Sequence, residues 1–291
     1  TCVGPLLLLA AAWAGHHHHY GADGSHTHEE YVRWLKLSCS NADFAFALYK
    51  SLNANAAAGK NIFFSPLGIS TALSMVSTGA GNRQQLFSSL GYSAHTQEQV
   101  NEAYEHLFHM MRHSEEHHQV DLGSGVAFQT GYSPLEKFQN DVKDDYFGRI
   151  FTVNFTKPAE AADDINKLIA NRTNNMITDM VKDLDPRTIM MIINYVYFRG
   201  QWEEPFDANH TQLPYKGNTS MMIVLPEEGK MKEVEGYISK DYVKHWHDSV
   251  IRRSVRLSLP KFSISADASL ESTLKEMDIF GKTHKSIIGL L

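Results

Sequence analysis

Histidine is the most conspicuous reactive residue type in this chain of 291 residues: there are 16, and six of them crowd into His16–His19, His26 and His28. A flexible run of imidazoles takes up zinc or copper whether or not that serves any purpose. The leader therefore implies no cofactor and no dedicated metal site. A second set, His106, His109, His113 and His117, recurs at helical spacing, opposite Val100, Tyr104, Leu107 and Met111. Such a face suits a metal or a pH-dependent patch. With Glu98, Glu102 and Glu105 alongside, a solvated polar face is the better reading. Asn194 is a different kind of candidate. It is an amide inside the apolar run Thr188–Phe198 (TIMMIINYVYF), and a buried amide must find partners or cost about 1–3 kcal/mol. On the residues alone it reads as a static, satisfied core amide. Asn-x-Ser/Thr acceptors stand at Asn154, Asn171, Asn209 and Asn218; Asn218 adjoins an apolar strand, which makes it the least accessible. Cys2 and Cys39 are the only cysteines. If Cys2 leaves with a leader, Cys39 stands alone, either buried and inert or free for intermolecular pairing.

The elements that must position these residues follow from periodicity. Val3–Ala14 (VGPLLLLAAAWA) is too short an apolar run to span a bilayer. It fits the core of a secretory signal with cleavage after Ala14, which makes residues 1–14 a signal-peptide remnant and implies secretion. Residues 15–39 form a His-rich leader expected to be disordered. Ordered structure is expected from Ser40, with a helix starting at Asn41–Asp43 and carrying Phe44, Leu48 and Leu52. Asn61–Phe64 reads as a short strand. Ser65–Pro66 starts a helix, with Ser as N-cap and Pro at the first helical position. A further helix carries Val100–Met111.

Strands are expected at Gly125–Gln129, Phe151–Phe155, Thr188–Phe198, Met221–Leu225 and Val255–Phe262. Helices are expected at Leu135–Tyr146, within Ala159–Met180, and at Leu270–Met277. Thr188–Phe198 has the continuous apolar character of a strand buried on both faces. Helices and strands mix without strict alternation, so pattern alone indicates an α+β domain over 40–291, with no linker inside it. The composition, 43% hydrophobic and 21% charged, is ordinarily globular, and a net charge of -6 gives no bulk attraction to nucleic acid. No later segment is apolar enough to cross a membrane.

Four segments in order resemble the serpin family. Asn61–Ser70 (NIFFSPLGIS) resembles the family's helix start NIFFSPxSIS. Ile192–Trp202 followed by Pro205–Phe206 resembles its NAxYFKGxW…PF signature. Tyr215–Gly229 (YKGNTSMMIVLPEEG) resembles a strand pair of its second sheet, and Leu257–Ile264 (LSLPKFSI) its LPKF strand. The pattern is closest to secreted serpins of the alpha-1-antitrypsin kind.

The resemblance implies a fold of three β-sheets with eight or nine helices. It also implies a secreted, monomeric inhibitor of trypsin- or elastase-like serine proteases that works by suicide trapping. The protease cleaves an exposed reactive-centre loop and is acylated; the cut loop then inserts into the largest sheet as an extra strand. The inhibitor supplies no catalytic residue, and the chain is not an enzyme. The resemblance assigns Ser65, Asn194 and His284 to the polar shutter beneath the central sheet, and expects glycan on Asn154, Asn171 or Asn209. In some members the helix matching Val100–Met111 binds heparin. Here its basicity is mostly histidine, so glycosaminoglycan contact is expected to be weak.

The resemblance breaks in two places. Only Ala208–Pro214 connect Asp207 to Tyr215 where the family carries several tens of residues. After Ile279 the hinge and scissile bond find no counterpart, although Thr283–Ile287 matches the strand before the hinge. The chain as it stands is thus expected to lack inhibitory activity. The competing function is a non-inhibitory serpin that carries a small hydrophobic ligand.

Overall fold

The computed structural model describes residues 7–11, 28–55, 61–81, 83–113, 118–200, 212–214, 220–251, 270–277 and 279. The contacts resolve into two compact units. One comprises Thr27–Arg112, Asp121–Tyr197 and Ile264–Leu291, and the other Thr1–His26, His113–Val120 and Phe198–Ser263.

The larger unit begins with helix α1 (His28–Asn55), followed by α2 (Pro66–Ser77), α3 (Arg83–Leu90) and α4 (Gln97–His113). Strand β2 (His118–Gln129) leads through α5 (Glu136–Asp144) to β3 (Arg149–Val153). Helix α6 (Pro158–Arg172) then leads to β4 (Met190–Gly200), and α9 (Leu270–Glu276) closes the unit. Its sheet has the order β3-β2-β4. β2 and β3 run parallel, with Gly125 opposite Arg149 and Gln129 opposite Val153.

Alternation along the strands sends side chains into two cores. Val126, Ile192 and the half-buried Phe128, Ile150 and Met190 face a core built from α1 to α5. Ala127, Val153, Met191 and Ile193 face a second core with Ile165 and Ile169 of α6. A strand covered on both sides must be apolar at successive positions, which is why β4 reads as an unbroken hydrophobic run.

Helix α2 lies deepest: every residue from Gly68 to Ser77 is buried. Its four buried hydroxyl residues, Ser70, Thr71, Ser74 and Ser77, are a cost unless partnered. Ser70 and Thr71 donate back to the Leu67 carbonyl at 3.0 and 2.7 Å, and Tyr104 on α4 donates to Ser70 Oγ at 3.1 Å. Tyr92 and Tyr104 join hydroxyls at 2.9 Å. Burial pushes the Tyr92 and Tyr146 hydroxyls well above the usual phenol range and Tyr104 upward as well. All three therefore stay protonated and keep their bonds at physiological pH.

In the smaller unit β1 (Leu7–Ala11), β5 (Gln212–Pro214) and β6 (Ser220–Val224) form an antiparallel sheet in the order β1-β6-β5. Leu7 lies opposite Val224 and Ala11 opposite Ser220. The short helices α7 (Met231–Tyr237) and α8 (Lys240–Ser249) follow.

Three expectations change. The disorder expected over 15–39 fails for residues 28–39, which are helical: the surrounding histidines hide a stretch containing Tyr31, Val32, Trp34, Leu35 and Leu37. Asn61–Phe64 is not a strand; Phe63 is 63% exposed, and the segment forms an irregular approach to α2. The apolar run expected as a signal core supplies β1. Helices α3, α7 and α8 were not anticipated; each is at most ten residues long. Val255–Phe262 lies outside the described residues.

Candidate functional site

The polar site lies where the first turn of α2 meets the sheet. Ser65 adopts an extended conformation (φ -104°, ψ 104°) and its Oγ accepts from the Gly68 N–H at 3.1 Å. Its carbonyl accepts from the Ile69 N–H, also at 3.1 Å. Pro66 occupies the first helical turn, where a missing N–H costs nothing. The cap expected from the sequence is thus the cap observed.

Asn194 shares the sheet face of Ile192, and Ser124 that of Val126, so both point toward α2. Asn194 is 8% exposed and Ser124 6%. The Asn194 Nδ2 donates to Ser124 Oγ at 3.0 Å, tying β4 to β2 through side chains. The other end of the amide sits on α2. A Cβ added at Gly68 would overlap Asn194 Oδ1 and stand 3.2 Å from Ser65 Oγ. Ser65, Gly68, Asn194 and Ser124 therefore form one latch that joins a helix cap to two neighbouring strands.

The opposite face of β2 is built on glycine. Tyr195 of β4 lies over Gly123, where a Cβ would enter its ring, and the Phe151 ring edge stands 3.1 Å from a Cβ at Gly125. Aromatic rings from both neighbouring strands thus cover a Gly-Ser-Gly stretch that has little strand propensity of its own.

With these contacts in place, comparison with known proteins gives the lineage. The sequence profile described as Serpin (serine protease inhibitor) matches residues 39–213 and 208–285. The chain belongs to the serpin family. It is 45% identical over 239 residues to an alpha-1-antitrypsin homolog of Cyprinus carpio, covering 68% of this chain and 64% of that protein. This serpin therefore spans under two thirds of that relative's length. Human glycosylated kallistatin superposes with a TM-score of 0.82 at 27% identity, covering 89% of this chain and 85% of that one. A cleaved kallistatin complexed with heparin gives 0.78 at 28%, covering 84% and 85%. Thyroxine-binding globulin complexed with thyroxine gives 0.77 at 29%, covering 83% and 77%. The mixed architecture, with nine helices among the described residues, is that of the serpin fold.

Of the residues assigned to the shutter by resemblance, Ser65 and Asn194 converge at Gly68, while His284 lies outside the described residues. Ser124 and Gly68 were missed. Their signal was present in the sequence: a serine between two glycines in a strand, and a glycine inside the helix start where the family pattern has serine.

Among the glycosylation acceptors, Asn154 and Asn171 are exposed, and Asn209 and Asn218 lie outside the described residues. The Asn154 Oδ1 accepts from the Thr156 hydroxyl at 2.6 Å and from the Thr156 N–H at 3.2 Å, closing a turn at the acceptor itself. Asn171 lies in the last turn of α6, and the Thr173 of its triplet is buried, donating to the Ile169 carbonyl at 3.0 Å.

His106 and His109 lie on α4, half-buried and exposed, away from the buried Val100, Ala103, Tyr104 and Phe108. Cys39 is exposed on α1. Trp246 stands 6.1 Å from Tyr242 on α8, and Trp202 lies outside the described residues. Among the described residues no group of three or more potential ligands could hold a metal ion, and no helix is long and apolar enough to cross a membrane.

Proposed function

We propose that this serpin is a secreted inhibitor of trypsin- or elastase-like serine proteases, acting as a monomer by suicide trapping. The observation that carries the reading is the latch. A sheet that must admit an extra strand needs its existing strands held together until the moment of insertion. The Asn194–Ser124 bond, backed by the Ser65 cap, is such a hold. It is buried, so water cannot replace it, and it is small, so one event can undo it.

In the trapping reaction the protease's serine oxygen would attack the scissile carbonyl of the reactive-centre loop, and the peptide bond would break with release of the new amine. The acyl ester would persist while the cut loop enters the sheet. All covalent chemistry belongs to the protease. The inhibitor's part is a metastable sheet and its latch.

The test uses the full-length protein with its reactive-centre loop. Incubated with trypsin and with elastase, it should give a higher-mass band that survives SDS. A panel that yields only cleaved inhibitor would overturn the inhibitory reading.

The likeness to thyroxine-binding globulin with bound thyroxine supports a second reading, a carrier of a small hydrophobic ligand. Saturable thyroxine binding by a protein that forms no protease complex would select it. The likeness to kallistatin with heparin, together with His106 and His109 on α4, supports a weak glycosaminoglycan contact. Retention on heparin-agarose that falls when His106 and His109 are both replaced by alanine would bear this out.

A further inference from the structure

Between α6 and β4 the chain runs through residues 173–189 without helix or strand, the longest such stretch among the described residues of the larger unit. Exposed connections of this kind are where proteases nick folded proteins. Its only basic residues are Lys182 and Arg187. A trypsin-like protease selects such residues through a carboxylate at the floor of its specificity pocket. Arg187 stands well out, with its side chain 83% exposed.

Asp185 already supplies what that pocket offers. Its Oδ2 accepts from Arg187 Nη2 at 2.7 Å, and its Oδ1 accepts from Nε at 3.1 Å and from the Arg187 N–H at 2.8 Å. Two parallel bonds to the guanidinium are the strong form of this pairing. Hydrogen bonds from Arg187 hold the Asp185 carboxyl down to about 2, so the pair persists at neutral pH.

The backbone is folded as well. The Thr188 N–H donates to the Asp185 carbonyl at 2.9 Å, closing a turn over Pro186 and Arg187, and proline fixes the first corner. That N–H belongs to the bond a protease would cut after Arg187. One residue on, the Ile189 carbonyl accepts from the Gln129 N–H of β2 at 2.8 Å. A protease binds its substrate extended. The turn must therefore open, and Ile189 must leave β2, before Arg187 can be presented. Lys182 is held in a similar manner. Its Nζ lies 2.9 Å from Asp179 Oδ2. Asn166 of α6 grips the backbone beside it, accepting from the Met180 and Val181 N–H groups at 2.9 and 2.8 Å and donating to the Val181 carbonyl at 3.0 Å.

We propose that Asp185 guards the Arg187–Thr188 bond: by pairing the arginine and pinning its turn, it turns a trypsin-like protease away from the body of the inhibitor and toward the bait. The inference rests on the reading of this serpin as an inhibitor of such proteases. Asp185 is thus a positioning residue for the choice of bond and makes no contact with the protease. Cleavage at the guarded bond would be plain hydrolysis. The bond from the Arg187 carbonyl carbon to the Thr188 nitrogen breaks, and water supplies hydroxyl to the new acid and a proton to the new amine. The connection between α6 and β4 would then be cut.

The experiment is timed digestion of the full-length protein with trypsin in molar excess, so that trapping leaves free protease. Mass spectrometry follows the new N-terminus at Thr188 and, in the same digest, the cuts after Arg172 and Lys182. Compared with the parent are Asp185→Ala, Asp185→Asn, and Asp185→Ala combined with Arg187→Gln. Asp185→Ala should speed the cut after Arg187 by roughly 3–30-fold, the scale of losing an exposed ion pair and a turn hydrogen bond, because cleavage follows the population of the open form. Asp185→Asn keeps an oxygen for the Arg187 N–H but loses the charge, and should fall between. Adding Arg187→Gln should abolish the new fragment. The cuts after Arg172 and Lys182 should keep their parent rates.

An unchanged rate after Arg187 would overturn the guard. So would equal acceleration at all three sites, which reports a general loosening of the fold. If Asp185→Ala does not fold, Asp185→Asn decides by the same comparison. Failure of the parent to form an SDS-stable complex with trypsin would strike the inhibitory reading and leave the digestion readable. An unchanged rate in a protein that still traps trypsin would sink the guard alone.

Discussion

At the scale of single residues, the consequences follow from burial. Removing the Asn194 amide leaves Ser124 Oγ buried with its partner gone. Asn194→Ala should therefore cost about 1–3 kcal/mol. It should also speed polymerisation on heating, because a loosened sheet presents unpaired edges. Glu102→Ala, at an exposed position on α4, should do neither. Melting curves with native gels over time distinguish the two, and parent-like behaviour of Asn194→Ala would remove the latch.

Asp145 carries a pH dependence. Burial raises its carboxyl above the ordinary aspartate value, a bond from Asn101 Nδ2 at 2.7 Å opposes the rise, and Asp141, Glu105 and Asp144 add to it. A carboxyl whose folded pKa is raised binds its proton more tightly when folded. Its contribution to stability is thus complete below the unfolded value and lost as pH rises through the folded one. Asp145→Asn should consequently be more stable than the parent at neutral pH, and the gap should close as pH falls below the ordinary aspartate range. A gap that widens on acidification would show that the ionised carboxylate is favoured in the fold.

At the scale of elements, β2 depends on its neighbours more than on itself. Its Gly-Ser-Gly stretch has poor strand propensity, and Tyr195 and Phe151 supply the covering surface. Gly123→Ala would force a methyl into the Tyr195 ring and should cost roughly 1–3 kcal/mol as overpacking. Gly125→Ala meets only the edge of Phe151 and should cost clearly less. Urea unfolding of the two variants checks the order, and equal midpoints would mean that the ring over Gly123 moves aside without cost. Helix α2 is the complementary case. Ten successive residues of it are buried, and its Ser70, Thr71 and Ser77 hydroxyls find partners in the Leu67 and Ser74 carbonyls, Tyr104 and Gln97.

At the scale of the whole molecule, secretion and glycosylation belong together. Asn154 and Asn171 are exposed, and each heads an acceptor triplet. The protein secreted from eukaryotic cells should begin near Gly15 and carry N-linked glycan on Asn154, Asn171 or Asn209. Glycosidase treatment should then raise its mobility on SDS gels. Unchanged mobility together with retention of residues 1–14 would count against the secretory route. Retention would leave β1 in place against β6, and removal would free that edge of β6.

Much of this was legible in the sequence, for local reasons. Ser65–Pro66 announces a helix start because capping is decided within four residues. Thr188–Phe198 announces a buried strand because both of its faces are apolar. Asn194 announces a partner because a buried amide without one is costly. The motifs in order pointed to the serpin family before any coordinates did. The start of α1 escaped because histidine-rich neighbours masked its apolar residues, and Asn61–Phe64 misled because apolar composition cannot say whether a partner strand lies alongside. What the latch consists of was decided only in three dimensions. Ser124 is 70 residues from Asn194, and the space beside Gly68 is filled by the Asn194 amide of a distant strand. Spacing along the chain records a residue's own turn and its neighbours, but not which remote side chain will fill the space beside it.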